Sequence, residues 1–160
     1  MSNKVNFEAL AKTPVASELT PVECQVLAGI MSMRQLKDGE ILVSEHGTDQ
    51  TLFVLIKGKL GVYSTMEGGQ ELVYTMIEGE CAGTRAFVDR APRKATLKSI
   101  GDTTVYTMEP DDFESLLEDH PRIVYKVMRA LFRLTHIHLQ RMNQETQQLA
   151  NYISKTHGRY

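Results

Sequence analysis

The polar and apolar positions of this chain change period twice. Up to Lys37 the texture is helical. In LTPVECQVLAGI, Val22, Val26, Leu27 and Ile30 share one face, Thr20 stands where a capping hydroxyl belongs, Pro21 takes the first helical position and Glu23 completes a capping box. From Lys37 to Met108 the apolar runs become short and β-like: LFVLI (Leu52 to Ile56), LGVY (Leu60 to Tyr63), LVYTMI (Leu72 to Ile77), ATLKSI (Ala95 to Ile100) and TTVYTM (Thr103 to Met108). Asp38-Gly39, Gly47, Lys57-Gly58, Gly68-Gly69, Gly79 and Gly101-Asp102 separate them at intervals of about ten residues, which predicts an antiparallel sandwich, barrel or jelly roll. A parallel α/β sheet is excluded because no helices fall between the strands.

From Pro110 the helical period returns, first in PDDFESLLEDH and then in a long run opened by Pro121. Neither Gly nor Pro occurs between Arg122 and His157, so one helix of about 34 residues would extend about 50 Å. A compact domain of this size is about 30 to 40 Å across, so the helix overhangs and calls for a partner. Its early half is apolar (Ile123, Val124, Val127, Met128, Leu131, Leu134), and farther on two heptad series read Met128, Thr135, Met142, Leu149 and Leu131, His138, Glu145, Tyr152. This mixed seam is read as a homodimer interface between paired helices; the alternative is a helix folded back on its own roll. The expected fold is α+β. An antiparallel β-roll (double-stranded jelly roll) of residues 37–108 is flanked by an N-terminal helix and by C-terminal short and long helices over 110–154, in one domain of residues 10–157 after a tail of residues 1–9.

Composition narrows the function. With 42% hydrophobic and 24% charged residues the chain falls in the ordinary globular range, and a net charge of −2 argues against a surface that grips nucleic acid as a whole while leaving room for one anion site. Cys24 and Cys81 have no cysteine or histidine cluster near them, so they read as core thiols of a reducing compartment. The N-terminus lacks the continuous apolar core of a signal peptide, and no run approaches the roughly 18 apolar residues of a membrane span, so the expected location is cytoplasmic, away from membranes. A metal-dependent roll enzyme would need two or three histidines and a carboxylate on neighbouring strands. The β-region holds only His46, beside Glu45, and Cys81 has no His partner in sequence, so no catalytic residue and no metal ligand are assigned. His136 and His138, two apart on a helix, point about 200° from each other and cannot share a metal.

Positive charge concentrates in CAGTRAFVDRAPRKATLKS, where Arg85, Arg90, Arg93 and Lys94 face one acid, Asp89. A helix start with free amides next to a guanidinium makes an anion site. Gly83 allows close backbone approach, the amides of Thr84, Arg85 and Ala86 face the anion, and Arg93 supplies the charge. Lys94 completes the candidate set, although strand alternation turns it opposite to Arg93.

The order helix, Gly-punctuated eight-stranded roll, short helix, long helix, together with LKDGEILVSEHGTDQTLFVLIKGKLGVY (Gly39, Gly47, Gly58, Gly61), Gly79, Gly83 and APRKATLKS, resembles the cyclic-nucleotide-binding domain. That domain is the sensor module of catabolite-activator (Crp/Fnr-type) regulators, cyclic-nucleotide-dependent protein kinases and gated channels, and the resemblance covers about Leu10 to Tyr152. It implies a phosphate-binding cassette closed by Arg93, a regulatory and non-enzymatic role in signal transduction, and a cyclic nucleotide such as cyclic AMP or cyclic GMP, or a related phosphate, as ligand. It also implies that the long helix covers the base, which brings Thr135 and His138 to the purine edge.

One position departs from the family pattern. Thr84 occupies the place of the glutamate that accepts the ribose hydroxyl, and losing a hydrogen bond to a charged acceptor costs about 1.5 to 3 kcal/mol. Glu80 would serve only in a shifted register with a longer cassette. An interaction scaffold that kept the fold and lost the ligand is therefore the competing reading. No helix-turn-helix follows the long helix before Tyr160, so the expectation is action on a protein partner rather than on DNA.

Overall fold

The computed structural model describes residues 4–157. Helix α1 (Phe7–Ala11) starts at Asn6, whose side chain accepts from the amides of Glu8 and Ala9. A 3-10 turn follows at Pro14–Ala16, then helix α2 (Pro21–Gly29), with the Thr20–Glu23 capping box formed in both directions and Pro21 at its start. Six strands come next: β1 (Ser32–Leu36), β2 (Ile41–Val43), β3 (Leu52–Met66), β4 (Gly69–Met76), β5 (Cys81–Ala82) and β6 (Thr96–Met108), with helix α3 (Thr84–Asp89) between the last two. The chain ends in α4 (Pro110–Glu114), α5 (Leu116–Asp119) and α6 (Pro121–His157).

Two boundaries differ from the sequence reading. Residues 1–9 were expected to form a tail, of which 1–3 lie outside the described residues. Val5, Phe7 and Ala9 in fact pack against a buried cluster, because α1 needs only five residues to bury Leu10. The roll begins at Ser32 rather than Lys37, since β1 is an outer strand whose residues are mostly exposed, and only Leu36 is buried along it.

The sheet runs β1-β6-β3-β4, with β2 also on β6 and β5 also on β3. Strands β3 and β6 pair antiparallel from Leu52↔Met108 to Tyr63↔Thr96, shifting register on both sides of Lys57. There the φ of Gly58 is +93°, and a Cβ would stand 2.4 Å from the Asp102 carbonyl oxygen, so only glycine fits the bend. Each long strand thus serves both halves of the roll, and six continuous strands fill an eight-segment plan.

Alternation along these strands divides the core. Leu52, Val54, Tyr106 and Met108 face the helices and join Leu10, Val15, Leu27, Ile123, Val127 and Leu131. Phe53, Leu55 and Val105 face the other way and join Leu36, Leu60, Met76, Ala82 and Leu97 inside the roll. Each such side chain contributes about 1.5 to 3 kcal/mol on burial, so β3 is stabilised from both faces. The first turns of α6 bury Ile123, Val127, Ala130 and Leu131 at helical spacing against the N-terminal elements. From Phe132, 75% exposed, α6 leaves that core. At 37 residues it is about 55 Å long.

Candidate functional site

Strand β5 delivers the chain to Gly83, helix α3 follows, and a short loop brings Arg93 back along the segment before β3. The Arg93 amide donates to the Gly47 carbonyl at 2.9 Å and its carbonyl accepts from the His46 amide at 2.8 Å, which fixes the residue against the connection between β2 and β3. Lys94 is exposed where Arg93 is buried, and both precede β6.

The Arg93 side chain is only 4% exposed. Its guanidinium lies 5.3 Å from the centroid of the Phe53 ring. Nη2 donates to the Thr51 carbonyl at 2.6 Å and stands 3.7 Å from Asp49 Oδ2. Nε and Nη1 are buried without a hydrogen-bond partner. Burial lowers the guanidinium pKa against the opposing charges of Asp49 and Glu109, yet an arginine still carries its proton at neutral pH. Leaving buried donors unmatched costs about 1 to 3 kcal/mol for each group, a cost that an anion accepting from them would offset.

Gly83 sits against this guanidinium with φ +81°, and a Cβ there would fall 2.0 Å from Nη1 and 3.0 Å from the Thr51 carbonyl oxygen. Both the backbone angle and the contact therefore require glycine. Thr84 is half-buried and Ala86 buried at the start of α3, whose first amides have no intrahelical acceptor. Gly83 and Arg93 are thus set against each other, and Thr84 and Ala86 follow Gly83 in the first turn of α3.

Arg85 is not part of that group. It is exposed and pairs with Asp89 one turn on, at 3.3 Å. Arg90, left-handed at φ 54°, ties the end of α3 to Gln50, Asp111 and Glu114. Three arginines that are neighbours in sequence therefore have three environments.

On α6, the Thr135 hydroxyl donates to the Leu131 carbonyl of its own helix, a local bond. The His138 ring stands edge-on to Tyr74 at 5.5 Å, which brings the distal helix to β4. The Tyr74 hydroxyl lies 2.7 and 2.9 Å from the two Glu80 carboxylate oxygens. Desolvation and then Glu80 push the phenol up to about 12, so it remains a donor. Glu80 is thereby engaged at Tyr74.

Asp49, Thr51, Phe53 and Tyr74 were not read from the sequence as site residues. The signal available for the first two was the polar segment TDQT directly before the apolar run of β3. The thiol of Cys81 is pushed up to about 12 by burial, with Glu80 adding to the shift, which favours the protonated form at neutral pH. Among the described residues no three His, Cys, Asp or Glu side chains converge on a metal position, and no helix is long and apolar enough to cross a membrane.

The chain has relatives among known proteins. The chain is 28% identical over 113 residues to a cAMP-dependent protein kinase regulatory subunit of Mycosarcoma maydis, covering 68% of this chain and 22% of that protein. It is 23% identical over 122 residues to a cyclic AMP receptor protein of Thermus thermophilus, covering 76% and 56% respectively. The chain therefore spans well under two thirds of these relatives. A solved cyclic nucleotide-binding domain from Methylobacillus flagellatus superposes with a TM-score of 0.82 at 19% identity, covering 87% of this chain and 81% of that one, and shows the same fold. The model of the cyclic nucleotide-binding domain matches residues 33–120, from β1 to the end of α5 and through the whole Gly83–Arg93 segment. The chain belongs to the cyclic nucleotide-binding domain family.

Proposed function

We propose that this protein is a regulatory ligand-sensing module whose Arg93 site takes a phosphate of cyclic-nucleotide type and passes its occupancy to the C-terminal helices. The carrying observation is the guanidinium of Arg93, 4% exposed, with Nε and Nη1 unmatched beside the bare backbone of Gly83. Gly83, Thr84, Ala86 and Arg93 form the phosphate end, while Arg85 and Lys94 lie outside it. His138, and through it Tyr74, marks the base end, with Thr135 one turn earlier on α6. Thr84 in the glutamate position makes the site weaker for ordinary cyclic nucleotides than its relatives, whose names include cyclic AMP.

A ligand shifts the helices only by its difference in affinity for their two arrangements. The Arg90 tie to Asp111 and Glu114 supports α4 as the first element to respond. The exposed distal half of α6 supports a homodimer and a separate protein partner as the output, in a cytoplasmic and non-enzymatic role. Thr84 favours a second reading, a dimeric scaffold without a ligand.

Thermal unfolding with cyclic AMP, cyclic GMP, cyclic dinucleotides and simple phosphates tests the choice. At one hundred times the dissociation constant a true ligand adds about 2.7 kcal/mol of stability, and Arg93→Ala should abolish that gain. No stabilisation by any of these compounds leaves the scaffold.

A further inference from the structure

The Arg93 guanidinium does not face an empty field. Asp49 is held in place: its Oδ1 accepts from the Thr51 amide at 3.0 Å and from the Thr51 hydroxyl at 2.6 Å, which leaves Oδ2 directed at Arg93 Nη2. The same hydroxyl lies 2.7 Å from Glu109 Oε1, and it carries one proton for two carboxylates. Partial burial opposes ionisation of Asp49, but the two Thr51 donors and the charges of Arg93 and Arg34 outweigh it and hold the carboxyl below its ordinary range. The charges acting on Arg93 are those of Asp49 and Glu109, both acidic. Arg85 and Arg90 are committed to Asp89, Asp111 and Glu114, and Lys94 is exposed. The local balance is therefore one buried cation with at least one anchored anion.

We infer that Asp49 is a specificity-determining residue of the Arg93 site, a resident carboxylate that admits a singly charged phosphate diester and disfavours a doubly charged phosphate monoester. This rests on the sensor reading above and extends it to the charge of the ligand. The incoming oxygens accept from Nε and Nη1 while Asp49 stays beside Nη2. Each added negative charge on the ligand meets Asp49 and Glu109, two exposed carboxylates beside the buried guanidinium, so the discrimination should weaken as salt is added.

The test is calorimetric titration of the full chain with cyclic AMP and with adenosine 5′-monophosphate, which share base and sugar and differ in phosphate charge. Wild type is compared with Asp49→Asn and Asp49→Ser, both of which keep an oxygen for the Thr51 turn. Wild type should favour the cyclic diester by about tenfold or more, and both variants should bind the monoester more tightly and shrink that preference about tenfold. In wild type the preference should also narrow between about pH 7.5 and about pH 5.5, because the monoester dianion takes up one proton near pH 6 and becomes a monoanion. An unchanged or wider preference in both variants, with cyclic AMP still binding, overturns the role of Asp49 and leaves the sensor standing. Binding by the variants alone also overturns that role, because the wild-type carboxylate would then exclude the diester as well. Absence of binding to all three proteins overturns the sensor reading and this inference with it.

Discussion

The two halves of α6 both carry apolar residues at helical spacing, denser in the first, and meet opposite fates. In the first, Ile123, Val127, Ala130 and Leu131 are buried and lysine and arginine side chains reach Glu23 and Glu18. In the second, Leu139, Met142, Leu149, Tyr152 and Ile153 recur at helical spacing and all stay exposed, and the described attachments to the roll are His138 and Arg141 at Tyr74. Apolar periodicity therefore tells that a face wants cover but not who supplies it. The N-terminal elements cover the first half, and a second copy is the proposed cover for the rest.

Truncating the buried half should have the largest effect. Leu131→Ala is expected to lower the unfolding free energy by about 2 to 5 kcal/mol in urea titration, and an equal loss from Leu149→Ala would erase the distinction between the halves. The next test concerns the distal attachment. Tyr74→Phe removes the donor to Glu80 at a cost of about 0.5 to 1.5 kcal/mol, and hydrogen exchange should quicken in α6 beyond Leu131 while its first turns keep their protection. Uniform acceleration along the helix would contradict this.

A subtler signature comes from the 2.7 Å pair of Lys126 and Glu23. Hydrogen bonding from Lys126 and then the Thr20 amide hold the Glu23 carboxyl below its ordinary value of 4.5. Because the folded value is the lower one, its stabilisation is complete above the unfolded value and fades as pH falls through the folded one. The urea midpoint should accordingly drop more steeply on acidification in wild type than in Glu23→Gln, and parallel curves would remove this pair from the account. The smallest expected effect is Leu149→Ala on the isolated chain, within about 0.5 kcal/mol, although sedimentation equilibrium should show weaker self-association if the distal face pairs.

What could be read from the string follows the range of each interaction. The start of α2 was legible because Thr20, Pro21 and Glu23 act within one turn. Gly83 and Arg93 were legible because their spacing matches a family motif, and the fold sets the two against each other. Strand β1 was missed because SMRQL shows almost no apolar alternation; its place is set by pairing with residues 103–107, far along the chain. Helix α1 was missed because five residues give too little periodicity, although Asn6 before FEALA carried the capping signal. Asp49 and Tyr74 gain their roles from residues 44 and 64 positions away, Arg93 and His138, so neither appears in a local pattern.

The ladder between β3 and β6 has a further consequence. Residues 64–95, which include the end of β3, β4, β5, α3 and the Arg93 loop, form an excursion whose two ends are fastened side by side where Tyr63 meets Thr96. Closing a flexible loop depends only weakly on its length, about 0.6 kcal/mol for each doubling. Insertions in the exposed turns of this segment therefore carry little closure cost, because the β3–β6 ladder already holds its two ends together.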